Sequence, residues 1–317
     1  MDTKKGLDIV IPAVDGFPLH ATLFTPEIEP GSERPVIETA VVISSATAVL
    51  RQFYAPFAEY LATSFKCAVI TYDYRGVGDS FPPSSVQNNK QHPLVDFEAT
   101  ITDWGFLDLP AILDYMHSAY PELPLAYIGH SVGAHLVPLA PNGHLVTRNI
   151  FISSNNAYYG YRPGYKSIFQ MKYMSPLLMR WYGYFPGKKY GGMEDLPIGV
   201  MKEWSTWSEH PRYFCDVNPE WKEKFDRFRK PILGISFTDD AYATEKAFTS
   251  LLEFFTGSDV VHWRFKPQDI GLNSVGHMGF FFGRYQEIRN NLWAPVIQFI
   301  CNNVIPPKPT SQLQAKL

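Results

Sequence analysis

The sequence predicts an α/β fold: a mostly parallel eight-stranded sheet with helices on both faces and an inserted aromatic-rich cap. Short apolar runs alternate with segments of helical length, the pattern of a sheet wound with helices. The later runs are continuously apolar, as expected of strands covered on both faces. The rhythm lapses once, between Asn155 and Lys230, where aromatics, glycine and proline crowd together.

Strands are expected at Asp8 to Ala13, His20 to Phe24, Thr39 to Ser45, Ala68 to Asp73, Leu125 to Gly129, Ile150 to Ser153, Pro231 to Phe237 and Val260 to Phe265. The first two read as a hairpin, because Asp15 and Gly16 are turn residues between them. Helices are expected at Phe57 to Ser64, Leu107 to Ser118, Val132 to Leu139, Thr244 to Phe255 and Tyr285 to Asn302. Pro110 and Pro138 should limit two of them, since proline removes a backbone donor.

Of the chain's 48 aromatic residues, 18 fall between Ala157 and Phe228, with no convincing strand among them. The expected organisation is a core of residues 1–154 and 230–304, a cap or lid at 155–229, and an extended tail at 305–317. An insertion of this length is usually functional or independently packed. The aromatics would serve either as a roof over a site at the strand ends or as a satellite core covering the sheet edge.

Composition narrows the partners. Lys plus Arg total 28 against 31 Asp plus Glu, and a net charge of -3 offers nothing to attract nucleic acid or an anionic membrane. Cys67, Cys215 and Cys301 are odd in number and far apart, which suits a reducing compartment and supplies neither a disulfide framework nor a metal-binding pair. The N-terminal stretch is interrupted by Asp8 and Pro12, too early for a signal peptide, and no run approaches the ~20 apolar residues of a membrane helix. The expectation is a soluble intracellular protein. Its final residues, Ala315-Lys316-Leu317, match the small-basic-Leu form of a peroxisomal address, so the alternatives are cytoplasm or peroxisome, the latter through an import receptor.

The chemistry centres on Gly129-His130-Ser131-Val132-Gly133, directly after an expected strand and before a helix. A serine hydroxyl is a poor nucleophile unless held exposed beside a base, and a sharp strand-to-helix turn holds it so. Small residues are needed two positions before and after Ser131, hence Gly129 and Gly133. The helix beginning at Val132 aims free N–H groups at an oxyanion formed on attack. Nine histidines compete for the base; His277 is favoured because it lies in a loop between the last strand and last helix, flanked by Gly276 and Gly279. The acid that orients it should follow the strand after the cap. Asp240 is preferred there, with Asp239 as the alternative, bonding locally in the turn. A second oxyanion donor should come from the small residues after Ser45: Thr47, or else Ala46 or Ala48, beside the N–H of Val132.

From about Thr39 to Phe299 these residues resemble the α/β-hydrolase superfamily. Asp73-Tyr74-Arg75-Gly76 with Gly78 and Ser80 resembles its post-strand loop, GHSVG its nucleophile elbow, and the Asp240 and His277 segments the rest of a triad. Asp103-Trp104-Gly105 with Asp108, Glu194-Asp195-Leu196-Pro197, Trp204, Trp207 and GHMGFF are similar to a branch of predicted serine hydrolases. The usual His-Gly pair of the oxyanion loop is replaced by Ser45-Ala46, and Pro138 shortens the helix behind the elbow. The resemblance implies cleavage of a carboxylic ester or thioester through an acyl-enzyme. Serine at the nucleophile position disfavours the aspartate chemistries of the superfamily. Aromatic walls would favour an apolar acyl or aryl group. Acyl transfer by the same triad, or ligand binding on an inactive fold, are the alternatives. No cofactor or metal is expected: Gly76-Val77-Gly78 lacks the third glycine of a dinucleotide loop, and no ligand cluster is visible.

Overall fold

The computed structural model describes residues 6–82, 92–161, 168–302 and 308. All eight expected strands are present: β1 (Leu7–Pro12), β2 (Pro18–Phe24), β3 (Thr39–Ser44), β4 (Cys67–Tyr72), β5 (Leu125–His130), β6 (Val146–Ile152), β7 (Ile232–Phe237) and β8 (Val260–Phe265). They form one sheet in the order β1-β2-β4-β3-β5-β6-β7-β8. β2 is antiparallel to β1 and β4, and every other neighbouring pair is parallel. Gly16 takes the left-handed conformation that the β1–β2 hairpin requires, at φ 84°. The largest boundary difference is at β6, which begins at Val146 rather than Ile150. Its polar start, Thr147-Arg148-Asn149, hid a segment that pairs with β5 across a register shift at Leu125/Ala126.

β3, β4, β5 and β7 are buried at every residue, because an apolar layer packs on each face. One layer holds Phe57 and Leu61 of helix α1 (Ala55–Phe65) with Val296 and Ile300 of the C-terminal helix Ala294–Asn302. The other holds Ile112, Leu113 and Met116 from the opposite side.

The helix expected at Leu107 to Ser118 starts earlier. Thr100 and Asp103 form a reciprocal capping box, so α2 (Ile101–Asp103) runs through a π-helical turn, Trp104–Asp108, into α3 (Leu109–Ala119). Pro110 therefore does not limit this helix. The π turn shifts the bonding so that Leu109 N–H donates to Trp104 O, which leaves room for the ring. The helix behind Ser131 is short: α4 spans Gly133–Leu136, ahead of Pro138.

Residues 155–229 fold mainly as short helices: Ser175–Tyr182, Gly187–Tyr190, Ile198–Ser208, Phe214–Val217 and Trp221–Arg227. Among the described residues they carry one isolated bridge, Phe185 to Leu196. Trp207, Phe214, Trp221 and Phe225 are buried in the same apolar layer as α3. Phe169, Tyr173, Leu177 and Trp181, spaced four apart, face solvent instead. No helix among the described residues is long and apolar enough to cross a membrane. The Ala315-Lys316-Leu317 tripeptide and, apart from Lys308, the 305–317 tail lie outside the described residues.

Candidate active site

Ser131 sits immediately beyond the end of β5 with φ 54°, a conformation that costs a non-glycine residue ~1–3 kcal/mol and is held only by its surroundings. Its N–H donates to Ile152 O on β6 at 3.0 Å, and its carbonyl accepts from Ala134 N at 3.3 Å. The two flanking glycines are needed for close approach. A Cβ at Gly129 would meet Ala134 N at 2.6 Å, and one at Gly133 would meet Ser44 O at 2.6 Å. The turn can therefore be this tight only without side chains at those positions.

A cavity of about 250 Å3 opens over Ser131. Val132 and His277 line it together with Ala46, Thr47, Ala48 and Val49 from the loop after β3, and residues 191–193, Trp204 and Tyr213 from the 155–229 segment. Three of the six non-glycine residues with positive φ among the described residues, Ala48, Ser131 and Tyr213, line this cavity. Such local strain concentrates where a structure over-determines the backbone around a site.

Asp240 and His277 are in contact: His277 Nδ1 lies 2.9 Å from Asp240 Oδ2. Asp240 Oδ1 accepts from the N–H groups of Tyr242 and Ala243 at 2.8 and 2.9 Å. Burial alone would raise this carboxyl. The hydrogen bond and charge of His277, with the two N–H donors, hold it below the usual carboxylate value. An ionised Asp240 accepts the Nδ1 proton, which leaves Nε2 of His277 as a free base.

Asp239 does not bond within its own turn, as the sequence reading had it. Its Oδ2 accepts from Ser274 Oγ at 2.8 Å, Val275 N at 2.8 Å and Gly276 N at 3.0 Å, all in the loop that carries His277. The adjacent carboxylates thus divide the work, one on the imidazole and one on its loop. That division needs the loop to fold back over the end of β7, which no local pattern reveals.

Of the candidate oxyanion donors, Ala46 is removed, because its N–H is spent on Tyr54 Oη at 2.8 Å. Among the described residues, neither the Thr47 nor the Val132 N–H has a hydrogen-bond partner. Ala48 lines the cavity in a left-handed conformation, and its carbonyl accepts from Glu194 N at 3.2 Å.

The bond to Tyr54 belongs to a buried chain that sequence reasoning missed. Tyr54 Oη lies 2.8 Å from His130 Nδ1, and His130 Nε2 lies 2.9 Å from the carbonyl of His277. A carbonyl only accepts, so Nε2 of His130 carries the proton and Nδ1 accepts from the Tyr54 hydroxyl. Three loops are tied together: the one after β3, the elbow, and the one bearing His277. Burial, reinforced by the neighbouring His277, pushes His130 down to about 3, so the ring is neutral. Tyr54 and His130 are 76 residues apart, and only the His next to Ser131 could have drawn notice.

Comparison with known proteins identifies the family and the fold. The alpha/beta hydrolase family profile matches residues 44–288. A soluble variant of monoglyceride lipase from Saccharomyces cerevisiae, solved with a substrate analog, superposes with a TM-score of 0.63 at 13% identity, covering 94% of this chain and 96% of that one. An esterase from Pyrococcus furiosus aligns with a TM-score of 0.55 at 17% identity over 95% and 93% of the two chains. A serine hydrolase without lid from Xanthomonas campestris gives 0.50 at 13% identity over 94% and 96%. At these identities the structural likeness concerns the fold. A search of curated protein sequences finds no match.

Proposed function

Because this chain belongs to the alpha/beta hydrolase family, we propose that it is a serine hydrolase cleaving a carboxylic ester or thioester through an acyl-enzyme on Ser131. The observation that carries this reading is one cavity in which Ser131 and His277 share a wall while the Asp240 carboxylate holds His277 Nδ1 from behind.

In this mechanism His277 Nε2 takes the Ser131 proton as Oγ attacks the carbonyl carbon. The negative oxygen so formed is received by the N–H groups of Val132 and Thr47. The carbonyl re-forms, the bond to the leaving oxygen or sulfur breaks, and His277 hands its proton to that atom. Water then repeats the sequence in reverse on the acyl-enzyme, freeing the acid and Ser131. Asp240 keeps the imidazole in the productive tautomer and stabilises the imidazolium between the two transfers.

The 155–229 segment serves as the cap, contributing residues 191–193, Trp204 and Tyr213 to the cavity. Ala46, Ala48, Val49, Ala157 and Met193 give the cavity a mainly apolar lining, which favours an apolar acyl or aryl arm.

The test is labelling with a fluorophosphonate probe, combined with turnover of nitrophenyl esters of increasing chain length. Wild type should be labelled and active, and Ser131→Ala should lose both. Ester hydrolysis that survives Ser131→Ala overturns the reading.

A further inference from the structure

We infer that His135 and Asn155 form a polar subsite in the substrate cavity that takes a hydroxyl group carried on the acyl arm a few atoms from the ester carbonyl; this substrate class rests on the acyl-enzyme reading above.

His135 lies on α4, four residues after Ser131, is 3% exposed and lines the cavity. Its Nε2 is 2.9 Å from the backbone carbonyl of Asn155. That carbonyl can only accept, so the proton is on Nε2 and Nδ1 presents a bare lone pair. Among the described residues, Nδ1 is buried without any hydrogen-bond partner. A buried acceptor left unpaired is destabilising, and native proteins leave few. Protonation does not remove the problem, because burial lowers the imidazole to about 4, a shift its bond to Asn155 only partly offsets. The rings of Tyr213 and Phe214 flank the imidazole, with centroids 5.5 and 5.4 Å from that of His135.

Asn155 supplies the complementary half. It is 5% exposed, follows β6 and lines the same cavity. Among the described residues its side-chain amide has no hydrogen-bond partner, although its backbone carbonyl holds His135. A hydroxyl satisfies both groups at once. Its proton goes to His135 Nδ1, and its oxygen accepts from the Asn155 amide. A carboxylate lacks the proton, and an alkyl chain leaves both groups bare. Ser131 and His135 line one cavity of about 250 Å3, so a group on a short acyl arm attached at Ser131 lies within reach of the subsite. A 3-hydroxyacyl ester, with the hydroxyl two carbons beyond the carbonyl, is the simplest probe of such an arm.

The decisive experiment compares nitrophenyl 3-hydroxybutyrate with nitrophenyl butyrate. Wild type should favour the hydroxylated ester by about tenfold or more in kcat/KM, the worth of one well-made buried hydrogen bond. The ratio should fall toward unity in His135→Phe and in Asn155→Leu, and either variant suffices if the other does not fold. In parallel, calorimetry of Ser131→Ala with ethyl 3-hydroxybutyrate and ethyl butyrate reads the subsite without turnover. Should fluorophosphonate labelling of Ser131 fail while calorimetry retains the hydroxyl preference, the subsite stands and the acyl-enzyme reading falls. Labelling with equal binding and equal turnover of the two esters overturns the subsite, as does a ratio that both variants leave unchanged. Either result would mean that His135 and Asn155 meet only an internal water.

Discussion

His130, at the end of β5, is wholly buried with both ring nitrogens bonded, whereas Trp181, on the helix Ser175–Tyr182, is 85% exposed. The two residues typify their regions. Around the elbow every neighbour is specified: Gly129 and Gly133 have no space for a methyl group, and Tyr54 joins the loop after β3 to His130. Across 155–229 the inner aromatics, Trp207 and Phe225 among them, pack into the core, while Phe169, Tyr173, Leu177 and Trp181 make an outer row that little constrains. The difference is one of tolerance. Where polar groups are desolvated and close-packed, each change leaves a partner unsatisfied or a contact too short. Where side chains already meet water, removing one changes little.

Four measurements can break or sharpen that contrast. The largest effect should come from Asp240→Asn, which cannot hold His277 in the tautomer that leaves Nε2 free. Ester turnover should drop by about a thousandfold or more with the fold intact by circular dichroism, and a loss below tenfold would move the acid's role elsewhere. Next is Tyr54→Phe, which keeps the ring contacts with Phe53 and Phe281 but strands Ala46 N–H and His130 Nδ1. We expect kcat to fall by about tenfold with KM nearly unchanged, and an unaltered kcat would show that the buried chain does not position the loop after β3.

Acidification probes the same buried region through stability. His130 and His135 titrate in the folded protein at about 3 and about 4, below the ordinary 6.5, because burial penalises their charged forms. The unfolded chain binds these protons first. Their contribution to stability is therefore complete above about pH 6.5 and is lost as the pH falls toward the folded values. The melting temperature should decline steadily from pH 6.5 to 4, and a flat profile over that window would contradict neutral burial of these rings. The smallest effect is expected for Trp181→Ser, within ~0.5 kcal/mol in chemical denaturation, with turnover in dilute buffer unaltered. A large loss of stability there would show that the outer row is packed after all.

Much of the architecture was legible because it repeats. Continuous apolar runs mark β3, β4, β5 and β7, since a strand covered on both faces has no polar side to display. The start of β6 is not legible, because Thr147-Arg148-Asn149 reads as loop, and the early helix start is marked only by the Thr100-Asp103 capping box. Ser131 stood out through its flanking glycines, whose need is local. The bonding of Asp239 is not legible, because its donors lie more than thirty residues on, at Ser274, Val275 and Gly276.

By itself, then, the sequence determined the order and character of the strands, the sharp turn at Ser131 and the pair of adjacent aspartates, because each depends on neighbours along the chain. Tertiary structure alone decided which aspartate meets His277, that Ala46 N–H is consumed by Tyr54, and that His135 Nδ1 is left without a partner. Those outcomes depend on distances between segments remote in sequence, and a hydrogen bond is made or lost over a few tenths of an ångström that no residue pattern encodes.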